Sequence, residues 1–147
     1  MPQHGLTHEA PWIRRFLAWA NERFPVANGI LTFVLFVTAL VFSRLVVSEN
    51  SAAIPIGTRD FIPFLAYYGF FFMLRMFDEH KDYELDCHNH PHRVLQSGLI
   101  TLTDLKIVGV VAISGQALVS FWLDEWTLGN ATRAWFWVII WSSLMAK

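Results

Sequence analysis

Residues 75–98 read RMFDEHKDYELDCHNHPHRVLQSG, and the spacing inside that stretch decides how the whole chain is read. Asp78, Asp82 and Asp86 recur at intervals of four, which stacks their side chains one above another on a helix. At about 100° per residue, Arg75, Asp78, Glu79, Asp82 and Asp86 share roughly one 100° arc. Like charges at this spacing cost roughly 0.2–0.5 kcal/mol per pair in water, and more where solvent is excluded. Such a carboxylate ladder calls for a positive partner. Arg75 can neutralise one carboxylate. A hard divalent cation such as Mg²⁺ suits the others, because it takes oxygen ligands and commonly shares one or two protein carboxylates with substrate phosphates. A metal-bridged diphosphate fits that chemistry, and a solvated charged helix end is the plainer alternative.

Upstream of the stretch, residues 61–74 are apolar but number only 14, about 21 Å as a helix, too short to cross a hydrocarbon core of about 30 Å. The helix is therefore expected to continue through the aspartates to about residue 88. That carries ionisable groups to or below the membrane surface, where they are usually functional. Pro63 is tolerated only if it lies in the first turn. Downstream, Asn89 and Pro91 should end the helix, and Thr101 with Asp104 three residues later forms the capping pattern of the next one.

Composition agrees with a membrane protein: 54% of the 147 residues are hydrophobic and 16% aromatic, and the mean hydropathy is +0.39. A net charge of -1, with no basic patch interleaved with aromatics, gives no reason to expect a nucleic-acid partner. The single cysteine, Cys87, excludes an intramolecular disulfide.

The expected fold is all-α: a polytopic membrane helix bundle of about four transmembrane segments, preceded by an interfacial amphipathic helix in residues 1–25. In that first segment Trp12, Ile13, Phe16, Leu17, Ala20 and Phe24 make an apolar stripe. Arg14, Arg15 and Arg23 lie near it, suited to a lipid surface, and Pro25 separates the segment from the first span. The membrane domain is residues 26–147. Its segments are 26–47, 61–77 continuing to about 88, 105–123, and a fourth, 134–146, of 13 residues, which is incomplete as a crossing. Residues 48–60 read as a loop. Gln116 should hydrogen-bond to another helix. Asp124 to Arg133 should form a polar turn between tryptophan anchors, in which Asn130-Ala131-Thr132 matches the glycosylation triplet by chance. Three basic residues precede the first span and four lie in residues 75–106, against Arg44, Arg59 and Arg133 on the other side. The positive-inside rule then places the N-terminus and the aspartates in the cytoplasm, with the chain in the cell's inner or plasma membrane.

The aspartate series, followed by His92-Arg93-Val94-Leu95-Gln96-Ser97-Gly98, resembles the first aspartate-rich motif and following loop of the UbiA superfamily of intramembrane prenyltransferases. Asp82 and Asp86 match the motif's two aspartates, and Asp78 stands where the family usually has Asn. Glu79 matches the acidic residue after it, and Arg93, Leu95, Ser97 and Gly98 match the loop, whose two prolines are replaced by Val94 and Gln96. The resemblance implies a helical membrane fold in which Mg²⁺ binds an isoprenyl diphosphate for transfer of the prenyl group to a hydrophobic aromatic or lipid acceptor. By that analogy Asp78, Asp82 and Asp86 are the catalytic, metal-holding residues. Arg93 contacts diphosphate, with Arg75 and Lys81 as further substrate-binding cations. Family members have about nine transmembrane helices and a second aspartate motif, which this sequence lacks, so an N-terminal fragment or a truncated or degenerate member is expected.

Two other classes of reading remain open on the residues. His80, His88, His90 and His92, with Cys87, could bind zinc or iron as in a membrane oxidoreductase, although one cluster broken by Pro91 is unlike dispersed histidine boxes. Alternatively, the chain is a small non-enzymatic membrane protein whose acidic helix end is a docking surface.

Overall fold

The computed structural model describes residues 6–47 and 56–145, in which every regular element is helical. The order is α1 (Trp12–Arg23), α2 (Val26–Val47), a 3₁₀ turn (Thr58–Asp60), α3 (Phe61–Lys81), α4 (Tyr83–Asn89), α5 (Leu102–Leu123) and α6 (Asn130–Met145). Three stretches among them are long and apolar enough to cross a membrane: Ala27–Val47, Thr58–Lys81 and Leu102–Leu123. The chain is thus a helical protein with the composition and helix lengths of a membrane protein. The fourth apolar helix, α6, has 16 residues, about 24 Å of rise. Most of the loop expected at 48–60 lies outside the described residues.

Local chemistry accounts for the helix boundaries. Pro63 occupies the first turn of α3, where an N–H has no intrahelical acceptor and its loss costs little. Thr101 and Asp104 cap α5 reciprocally: the Asp104 N–H donates to Thr101 Oγ1 at 3.1 Å and the Thr101 N–H donates to Asp104 Oδ2 at 2.9 Å. Between α5 and α6, the Asp124 carboxylate accepts the N–H groups of Thr132 at 2.7 Å and Ala131 at 3.2 Å. The Thr132 amide, chiefly, holds that carboxyl below its ordinary value.

The helix through the aspartates is not continuous. Asp82, at φ −95° and ψ 6°, separates α3 from α4. The hydrogen bonds nevertheless run on through the break, from Asp82 N–H to Asp78 O at 2.9 Å and from Asp86 N–H to Asp82 O at 2.8 Å. The expected helix end near residue 88 is met by α4, which stops at Asn89 just before Pro91.

α3 is the central helix, packed against α2 and along α5, and α5 in turn carries α6. α2 packs on the first half of α3 through aromatic contacts such as Phe33–Phe64 and Phe36–Tyr67, and Arg44 Nη2 donates to Asp60 Oδ1 at 2.6 Å at the far end. Most apolar side chains of α2 point outward, as lipid-facing residues do, because association in a bilayer rests on packing rather than on removing apolar surface from water. The second half of α3 runs past the start of α2 and is covered by α1. There lies the core: Trp19, Met76, Val94, Leu95, Leu99, Ile100 and Leu105. Gly98, at φ +79°, takes the left-handed conformation that reverses the loop and delivers Leu99 and Ile100 into it.

One expectation changes, at Gln116. α1 carries its apolar stripe, and the face that docks is rotated from it by roughly 100° and centred on Trp19, at 100° per residue. Ile13 and Leu17, in the stripe, stay exposed. Gln116 is buried against Gly69 of α3, yet neither of its amide atoms has a hydrogen-bond partner. The glycine brings the helices close without supplying a polar group.

Candidate functional site

The charged stretch becomes a site through α1, which supplies polar side chains from one face. Trp12 Nε1 donates to Asp104 Oδ1 at 3.1 Å, Arg15 Nη1 to the Leu99 carbonyl at 2.8 Å, and Glu22 Oε2 accepts the Val94 N–H at 3.0 Å. Arg23, in the last turn, lies between two carboxylates. Its Nε meets Glu79 Oε1, and its Nη2 donates to Asp86 Oδ2 at 3.2 Å. Arg93 reaches the same Asp86 oxygen at 2.8 Å from the following loop. Arg75 Nη1 donates to Asp78 Oδ2 at 3.3 Å, and Arg75 Nε stands 4.0 Å from Glu79 Oε1.

This network splits the carboxylate ladder lengthwise. Glu79 is wholly buried and Asp86 retains 14% side-chain exposure, both turned toward the guanidinium groups of α1 and the loop. Asp78 is 54% exposed, and Asp82 is also exposed, on the outer edge. Lys81 is exposed beside them. A buried carboxylate without a counter-charge would cost several kcal/mol, so Arg23 answers the repulsion that the spacing implies. One oxygen of the pair, Glu79 Oε2, is left without a hydrogen bond.

The expected site residues are thus brought together in part. Arg93 and Asp86 join, so the aspartate series and the Arg-x-Leu-x-Ser-Gly loop form one unit. Asp78 and Asp82 stay one helical turn apart with accessible oxygens. Both arginine partners of Asp86 bond its Oδ2. Among the described residues, no three His, Cys, Asp or Glu side chains gather as a ligand set. His88, His90 and His92 are exposed, while His80 is turned inward with its Nδ1 on the Met76 carbonyl at 2.8 Å. For Mg²⁺, the exposed pair fits in kind, since that ion is commonly held by one or two carboxylates together with substrate phosphates.

Arg23, Glu22 and the buried role of Glu79 are not apparent from the motif. The available signal was Trp19-x-x-Glu22-Arg23: a large aromatic with two opposite charges one turn on, directly before Pro25 and the first span. Comparison with protein-family models, with curated proteins and with solved structures finds no match to this chain.

Proposed function

We propose that the chain contributes the diphosphate-binding end of a UbiA-like prenyltransferase, taking an isoprenyl diphosphate for transfer to a hydrophobic aromatic or lipid acceptor. The observation that carries this reading is the Arg93–Asp86 hydrogen bond at 2.8 Å, which unites the two halves of the resembling motif at one end of the helices. Asp78 and Asp82 are the carboxylates with free oxygens for Mg²⁺, which when bound supplies positive charge to a departing diphosphate. Arg75, Lys81 and Arg93 flank that edge as cationic donors suited to phosphate oxygens. Glu79 and Asp86 position Arg75 and Arg93, and Arg23 holds both carboxylates. The edge lies on the cytoplasmic side by the positive-inside rule, with Ile13 and Leu17 of α1 resting on lipid beside it.

One observation favours a second reading. Asp86 is already neutralised by two arginines, as it would be if the network only fastened α1 to a non-enzymatic membrane protein. Binding of farnesyl thiolodiphosphate, a non-hydrolysable analogue, to the detergent-solubilised chain separates the two. The prenyltransferase reading expects saturable binding that needs Mg²⁺ and falls at least about tenfold in an Asp78→Asn, Asp82→Asn variant, the loss of one good charge-assisted contact or more. No Mg²⁺-dependent binding by a helical wild-type sample would favour the non-enzymatic one.

A further inference from the structure

On the other side of α3 from Asp78 and Asp82, a cavity of about 330 Å³ opens between α3 and α5. Its lining includes Met76, Phe77, His80, Lys106, Gly109 and Val110. Volumes of about 300 Å³ and above are those of real ligand sites. Two features give it a chemical address. Gly109 is buried and leaves the space open: a Cβ there would lie 3.7 Å from Met76 Sδ, so a longer side chain would run into it. Lys106 is exposed and makes no ion pair among the described residues.

An apolar cleft between two membrane-spanning helices, with one free ammonium at its end, complements a molecule with a hydrocarbon chain and an anionic head. We propose that this cavity is an anionic-phospholipid site, one acyl chain entering between α3 and α5 and the lipid phosphate meeting Lys106. Phosphatidylglycerol, with its net negative charge beside the Lys106 ammonium, is preferred over zwitterionic phosphatidylcholine. Lys106 lies at the start of α5, on the same side of the membrane as the charged network, which places the ammonium at headgroup depth while Gly109 and Val110 lie one turn deeper.

The test uses phosphatidylglycerol with a photoactivatable acyl chain, added to the whole chain in mixed micelles and mapped by peptide mass spectrometry. Labelling is expected in residues 76–80 and 105–113, and to fall about fivefold in Lys106→Gln, the worth of one lysine near an anionic lipid surface. Gly109→Leu should also abolish it. Val110→Trp fills the cleft from its exposed side and keeps the test valid should the glycine variant fail to fold. The corresponding phosphatidylcholine probe should label weakly. Equal labelling by both lipids, or labelling indifferent to Lys106→Gln and Val110→Trp, would overturn the proposal. Neither outcome bears on farnesyl thiolodiphosphate binding at the opposite face.

Discussion

Replacing Arg23 by methionine is expected to destabilise the protein by about 3–5 kcal/mol, the usual cost of stripping one partner from a buried ion pair. Glu79 is fully buried and Arg23 only 10% exposed, so water cannot replace the lost guanidinium. Arg75 remains 4.0 Å away and softens the loss, which places the expected value toward the lower end of that range. Asp86 suffers less, because Arg93 keeps its hydrogen bond. A second change, Glu79→Gln, removes the uncompensated charge, and the double variant should regain most of the stability. Denaturation in mixed micelles, followed by circular dichroism, reads both effects. An Arg23→Met protein as stable as the wild type would mean that the pair does not bury its charge.

Trp19→Ala should cost a similar amount, about 3–5 kcal/mol, the range for deleting a fully buried large aromatic. The indole packs edge-on to Phe72 at 5.6 Å between centroids and against Phe16 at 5.7 Å, so its removal opens the centre of the core that α1 shares with the loop. Trp19→Phe should cost much less. The indole N–H is buried without an acceptor, so phenylalanine removes an unsatisfied donor while keeping most of the ring. Limited trypsin digestion supplies the readout: cleavage after Arg14, Arg15 and Arg23 should accelerate strongly in Trp19→Ala and little in Trp19→Phe. Equal cleavage of all three proteins would place the stability of α1 elsewhere.

Helix lengths and ends were readable because they rest on short-range chemistry. An apolar run of 14 residues had to borrow turns from the charged stretch, and the Thr101–Asp104 capping pattern marks the start of α5 within its own first turn. The break at Asp82 was not readable, since the four-residue spacing that suggests a continuous ladder is kept on both sides of it. Nor was the division of that ladder. Glu79 and Asp78 are neighbours in sequence, and only the arrival of α1 from 56 residues away decides which one is buried. The docking face of α1 was not readable for a related reason. Counting apolar residues points to Ile13 and Leu17, whereas the buried face mixes Trp19 with Arg15, Glu22 and Arg23, whose polar groups reach across the contact. The single unit formed by Asp86 and Arg93 follows from the motif order, but the competing claim of Arg23 on the same oxygen does not.

Every role proposed for the aspartate stretch depends on α1 lying against it. Spin labels at two exposed positions, Asn21 of α1 and Ser97 of the loop, in a Cys87→Ser background, measure that relation directly by pulsed electron resonance. A docked α1 predicts one narrow distance distribution that broadens when Arg23 is replaced by methionine. A broad distribution already present with Arg23 in place, unchanged by the substitution, would contradict it and leave the carboxylates of α3 and α4 uncovered.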